Sequence, residues 1–154
     1  MIQIRNTLIA VILIFISFSI CSQNSNKDII FNWEKSDNFW ISIDSTNQKF
    51  YPTLEEIKLA KKISIEHIDS LEKINKDFKI LHFNHISYYR QYVGYYDNNG
   101  DKIIYINAFC DSYNKRTNLK TNWIFVLDGG SCYYQIRINI NKGECFDFTV
   151  NGNA

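Results

Sequence analysis

His82-x-x-His85 has a spacing met in metal sites, and Asp128-Gly129-Gly130 has the small-residue turn met in catalytic and phosphate-binding loops. Zinc needs a complete ligand set, and no nearby Cys or Glu joins the two histidines, so they are expected at a surface or sheet edge. A phosphate loop needs a helix N-terminus behind its glycines. A strand pattern follows Gly130 instead, so a tight turn is expected. Asp97-Asn98-Asn99-Gly100-Asp101 looks like part of a calcium loop, but the first ligand position would be Tyr95 and the closing Glu position is Ile106. It reads as a hairpin turn. His67 falls on the apolar side of a helix, where a partly buried structural role is expected. Cys145 has nothing near it in sequence to lower its pKa. Gly-x-Ser-x-Gly, His-Glu-x-x-His and Cys-His signatures do not occur. No catalytic residue, metal ligand or cofactor is assigned.

These residues need elements to hold them. Tyr51-Pro52-Thr53 opens a helix, with Thr53 and Glu56 spaced as a capping box. Leu54, Ile57, Ala60, Ile63, Ile68, Leu71 and Ile74 lie on one side at helical spacing, and charges occupy the other, so a helix is expected over Thr53–Asn75. Phe39–Ile43 reads as a first strand. Tyr88–Tyr96 and Lys102–Cys110 flank Asn99-Gly100, the strongest short hairpin signal. With that pair as the turn, Val93 faces Ile106 and Tyr95 faces Ile104. The buried face is then Val93, Tyr95, Ile104, Ile106, Ala108 and Cys110. Trp123–Leu127 reads as another strand. Cys132–Ile140 alternates cleanly, with Cys132, Tyr134, Ile136, Ile138 and Ile140 inward. Cys145–Val150 closes the chain, with Phe146, Phe148 and Val150 inward and Cys145 outward. One helix with an apolar side and a four- to five-stranded antiparallel sheet with an apolar face complete each other as a two-layer α+β domain. The order is similar to the cystatin-like arrangement.

The other sheet face collects Arg90, Tyr92, Tyr96, Tyr105, Asn107, Tyr133, Gln135 and Arg137. A mixed aromatic and amide surface suits protein or carbohydrate ligands. Cys110 and Cys132 share the inward face, each at a strand end, and a Cys110–Cys132 disulfide is expected.

The N-terminus sets the compartment. Arg5, the apolar run Leu8–Ile16 and the small-residue stretch to Ser22 follow the order of an export signal. Residues 1–21 are read as a signal peptide or lipoprotein leader, 22–38 as a flexible tether and 39–154 as a single domain. Ile20 departs from the small residue expected before a lipidated Cys21, so cleaved secretion is favoured over a lipid anchor. The run Thr7–Cys21 is shorter than the roughly 20 apolar residues of a membrane span, so an uncleaved anchor fits least. Membrane contact is expected only through Cys21 or the leader. Arg5 is the leader's one charge, so 16 basic and 16 acidic residues remain beyond it. A net charge of zero with no basic cluster argues against nucleic acid. Losing or lipidating Cys21 leaves three cysteines, which fits one bridge and one spare thiol.

Tyr89-Arg90-Gln91-Tyr92-Val93-Gly94-Tyr95, Ile106-Asn107-Ala108-Phe109-Cys110 and Asp128-Gly129-Gly130-Ser131-Cys132-Tyr133-Tyr134 resemble a set of small exported bacterial proteins of uncharacterised function. The likeness runs from about Pro52 to the end. It implies export and a Cys110–Cys132 pair, and it implies no activity.

The function expected is a small exported binding or interaction module, periplasmic, cell-surface or secreted, with a protein or carbohydrate ligand. One alternative is a cystatin-like protease inhibitor, for which Gln91-Tyr92-Val93-Gly94-Tyr95 is the nearest match to Gln-x-Val-x-Gly. The other is a small hydrolase or metal enzyme around His82, His85 and Asp128.

Overall fold

The computed structural model describes residues 27–36, 47–74, 88–110 and 117–152. The leader, the expected strand Phe39–Ile43, and His82 and His85 lie outside the described residues. The fold is α+β. One helix packs against a six-stranded sheet, and the sheet is mixed where an antiparallel one was expected.

The helix, α1 (Leu54–Ile74), starts where its cap predicts. Glu56 Oε2 accepts from the Thr53 amide at 2.8 Å, and Thr53 Oγ1 accepts from the Glu56 amide at 3.2 Å. Two amides orphaned at the helix start are thereby satisfied. Glu56 also receives Lys102 Nζ at 2.6 Å, which ties the helix start to the sheet. Ile57, Ala60, Ser64 and Ile68 form the buried stripe. Leu54 and Ile74, on the same side by angle, are 45% and 83% exposed because they sit at the helix ends.

The strands are β1 (Asp28–Ile30), β2 (Lys49–Phe50), β3 (Tyr89–Tyr96), β4 (Lys102–Phe109), β5 (Tyr133–Asn139) and β6 (Glu144–Val150). They run β1-β3-β4-β5-β6, with β2 also on β3. β1 pairs parallel to β3, Asp28 opposite Arg90 and Ile30 opposite Tyr92; every other pairing is antiparallel. Residues 27–36, expected within a tether, are thus part of the domain, and Phe31 is fully buried. Gly94 is required where β2 crosses β3, since a Cβ there would lie 2.7 Å from the Phe50 ring and 2.9 Å from its carbonyl oxygen.

The β3–β4 hairpin is one residue off the expected register. Its loop is Asn98–Gly100, three residues, because the Asp97 amide donates to the Asp101 carbonyl at 3.0 Å. Asp97 Oδ1 also takes the Asn99 and Asp101 amides, each at 2.9 Å, and Gly100 adopts φ 81°. A three-residue loop with a left-handed last residue is the next commonest hairpin after the two-residue turn. Val93 therefore faces Tyr105, and Tyr95 faces Ile103. A one-residue slip sends every side chain of a strand to the other face. Arg90 and Tyr92, expected outward, turn to the helix side beside Ile106, Ala108, Tyr134 and Ile136. Val93 and Tyr95 turn to the far side, where both are still buried.

They are buried because the far face has its own cover. Phe31, Val93 and Trp123 form a second apolar cluster, with Phe31 and Trp123 edge to face at 5.0 Å. Trp123–Leu127, expected as a strand, is not one and pairs with no strand among the described residues. It lies over the sheet face, where side chains bond the Ile124 amide and carbonyl and the Val126 carbonyl.

β6 brings a second change of face. Its pairing with β5 shifts register between Gln135 and Arg137, and Asp147 adopts φ 51°. This bulge lets residues an odd number apart share a face. Cys145, Phe148 and Val150 pack on the core, while Phe146 is 39% exposed. The expected places of Cys145 and Phe146 are thereby exchanged. Cys145 Sγ lies 3.7 Å from the Ile63 carbonyl, and burial pushes its thiol up to about 11. The unfolded chain loses this proton first as pH rises from the ordinary 9.0, so the thiol's contribution to stability is full below that value and lost towards 11. At pH 8 the folded chain is expected to react with iodoacetamide about 100-fold more slowly than the unfolded chain. A labelling rate that reaches its plateau below pH 9 in the folded protein contradicts this placement.

Candidate functional site

Polar side chains in register across the far face make a ladder. Gln91 is opposite Asn107, Asn107 opposite Gln135, and Gln135 opposite Thr149. Asn107 Nδ2 donates to Gln91 Oε1 at 3.2 Å, Gln135 Nε2 to Asn107 Oδ1 at 3.3 Å, and Thr149 Oγ1 to Gln135 Oε1 at 3.1 Å. Four strands are crossed by one chain of hydrogen bonds, which fixes the side-chain orientations.

One half of this ladder is spent on structure. Gln91 Nε2 donates to the Leu119 carbonyl at 2.8 Å and the Asn122 carbonyl at 2.6 Å, and its oxygen accepts from the Ile124 amide at 3.1 Å. Asn107 Nδ2 donates to the Ile124 carbonyl at 2.8 Å. Two buried amides thus satisfy both backbone groups of Ile124, as buried backbone groups demand. Further along, Asn151 Nδ2 donates to the Val126 and Asp128 carbonyls at 2.5 and 3.1 Å.

The other half is open. A pocket of about 220 Å³ is lined by Tyr105, Asn107, Gln135, Asn151 and the segment Trp123–Leu127. Phe125 and Leu127 stand 61% and 82% exposed at its edge. A carboxamide has two N–H donors and two lone pairs. The ladder uses one of each on Gln135, leaving one donor and one acceptor side by side. Tyr105 stacks on Trp123 at 5.8 Å, and the Arg137 guanidinium lies over Tyr105 at 5.2 Å. Burial raises the Tyr105 phenol, with Arg137 opposing, so the group presents a neutral hydroxyl. Arg137 pairs with Asp147 at the bulge.

Of the eight residues expected on one face, Tyr105, Asn107, Tyr133, Gln135 and Arg137 are together on the far face by register. Arg90, Tyr92 and Tyr96 are on the other side. Arg90 and Tyr92 are 1% and 0% exposed, and Tyr96 packs on Phe50 at 5.0 Å. Gln91 to Gly94 is buried in mid-sheet, so this stretch is not an exposed loop. Asp128 is exposed in its turn. Among the described residues no three His, Cys, Asp or Glu side chains are grouped to hold a metal. His67 is half-buried, its ring edge-on to Phe148 at 6.2 Å. Cys110 and Cys132 form a disulfide across neighbouring strand ends, with Cα atoms 5.0 Å apart.

Sequence reasoning missed Phe125 and Leu127 as surface groups, together with Gln91, Thr149 and Asn151. One signal was present. Trp123-Ile124-Phe125-Val126-Leu127 is apolar without alternation, which a half-buried strand would not be.

No protein family, curated protein or solved structure matches the chain.

Proposed function

We propose that the chain is a small exported binding module that takes an extended segment of a partner protein on its far sheet face. The observation that carries this is the pair Phe125 and Leu127, exposed beside a pocket of about 220 Å³ floored by the open half of the amide ladder. That volume is below the roughly 300–1,000 Å³ of small-molecule sites and suits a single anchoring side chain. The remaining donor and acceptor of Gln135 match the C=O and N–H of a peptide group. Aromatic anchors with a polar handle are what protein interfaces favour. Export is supported by the leader pattern and by the Cys110–Cys132 bridge, since disulfides persist outside the reducing cytosol. The mass of the mature N-terminus reads whether Cys21 is removed, acylated or kept.

Selection from a displayed library of unstructured peptides tests the site. Enriched peptides are expected to share an apolar residue flanked by extended chain. Phe125→Ser with Leu127→Ser is expected to weaken their binding at least about tenfold, or about 1.4 kcal/mol. Both side chains are largely exposed, so the double variant is expected to unfold within about 1 kcal/mol of the parent. Enriched peptides that bind the double variant as well as the parent would place the site elsewhere. Tyr105→Ala is a poorer probe, because it removes the stacking partner of Trp123.

A further inference from the structure

A second cleft, of about 700 Å³, opens at the β1 edge of the sheet between β1, Tyr51 and the turn at Asn118–Thr121. Its volume lies within the usual range for a small-molecule site. Its floor is rigid. Asp28 Oδ2 accepts from Lys61 Nζ at 2.6 Å and Oδ1 from the Tyr92 hydroxyl at 2.8 Å, so this carboxylate is already engaged.

The walls carry groups of three kinds. Tyr51 is 42% exposed and stacks on Trp33 with ring centroids 5.7 Å apart and planes 16° from parallel. Its hydroxyl donates to Asn32 Oδ1 at 3.1 Å. Burial, and after it the charge of Glu34, raises the Tyr51 phenol, which keeps its proton. Asn32, Asn118 and Thr121 add amide and hydroxyl groups. Lys35 and Lys120 also line the cleft. Among the described residues neither ammonium has a carboxylate partner, whereas Lys61, Lys102 and Lys142 each have one.

β1 adds main-chain groups. The Arg90 amide bonds to the Lys27 carbonyl and the Phe31 amide to the Tyr92 carbonyl, so residues 27, 29 and 31 face β3. The amide and carbonyl of Ile30 then face away from β3, on the side where the Asn32 amide reaches the Lys120 carbonyl at 2.7 Å.

We propose that this cleft binds an acidic saccharide. A flat aromatic ring takes the C–H face of a sugar, and amides, a hydroxyl and the Ile30 peptide groups pair with its hydroxyls. The two unpaired ammoniums take its carboxylate through charge-assisted bonds. The proposal uses none of the residues of the far-face peptide site, so the two stand or fall separately.

Calorimetric titration of the intact chain with a tri-galacturonate, its fully methyl-esterified form and a triglutamate peptide tests it. The esters keep the sugar and remove the charge; the peptide keeps the charge and removes the sugar. The free acid is expected to bind at least about tenfold more tightly than either control. Lys35→Gln with Lys120→Gln, and separately Tyr51→Ala, are expected to lower that affinity about tenfold or more. Phe125→Ser with Leu127→Ser is expected to leave it unchanged. Thermal unfolding of each variant confirms the fold. Equal binding of the esters, equal binding of triglutamate, absence of binding by the free acid, or full affinity in folded Lys35→Gln/Lys120→Gln overturns the proposal.

Discussion

Asp28→Ala is expected to lower the stability of the folded chain by about 3–5 kcal/mol, the cost of removing one partner from a buried ion pair. The effect should be this large because Asp28 serves cations on two elements at once. Arg90 is 1% exposed, on the helix side of β3, in a core of tyrosines and isoleucines. Its Nε lies 3.4 Å from the Tyr134 hydroxyl and its Nη1 3.2 Å from the Tyr88 carbonyl. These neutral partners orient the guanidinium and do not neutralise it. Among the described residues the carboxylate beside it is Asp28, at 4.0 Å from Nη1, which also holds Lys61 of α1 at 2.6 Å. Burial first, and the adjacent Asp28 charge second, push the Tyr92 phenol well above its ordinary range, so it remains a donor to Asp28. Without the carboxylate, the Tyr92 phenol loses its acceptor and the buried guanidinium loses the negative charge 4.0 Å from it.

Two further comparisons separate this cause from simple loss of β1. Asp28→Asn keeps an acceptor and removes the charge, so it is expected to fall between the parent and Asp28→Ala. Added salt is expected to change the parent little, because buried pairs are poorly screened. Urea unfolding reads all three, and hydrogen exchange at the Phe31 and Arg90 amides reports whether β1 leaves first. A loss below about 1 kcal/mol in Asp28→Ala, the scale of an exposed pair, would mean that the guanidinium is neutralised by other groups.

How far the sequence foretold this arrangement depends on the element. The α1 cap and stripe were legible because both are local: Thr53 and Glu56 are three apart, and the stripe repeats every turn. β4 and β5 were legible because their alternation is clean. β3 was not. Arg90-Gln91-Tyr92-Val93 carries a polar residue on each face, so alternation did not fix its orientation, and the turn decided it. Asn99-Gly100 fits both a two-residue turn and the end of a three-residue loop, and the Asp97 side chain, bonded to the Asn99 and Asp101 amides, favours the longer one. The charged Arg90 looked like a surface residue because its partner, Asp28, is 62 positions away, in a stretch whose composition reads as a tether. Asn107 looked like a ligand-binding amide for a related reason, and Gln91, opposite it on β3, was missed. Their ligand is the chain itself, the backbone of Leu119 to Ile124, which no local pattern reveals. The Cys145–Phe146 exchange rests on one residue at positive φ, Asp147, and a bulge leaves no mark in hydropathy.

Cys110→Ser with Cys132→Ser is expected to cost about 3 kcal/mol, which for a domain of this size is a fall of roughly 10 °C in Tm. The two cysteines are 22 positions apart, so the bridge closes a loop whose freedom in the unfolded chain is large. The loop's ends are also held without it, because the Cys110 amide donates to the Cys132 carbonyl at 2.9 Å. The native geometry therefore survives removal of the sulfurs, and the cost is expressed mainly as a gain in unfolded-state entropy. That predicts a kinetic signature: refolding slows more than unfolding accelerates if the β4–β5 pairing forms in the transition state. The loop also carries the segment Trp123–Leu127, so a longer search for the Gln91 and Asn107 amides accompanies loss of the bridge. Thiol titration of the denatured, unreduced protein gives the direct check. With Cys21 removed or acylated, one reactive thiol, Cys145, is expected; three reactive thiols mean that the bridge does not form.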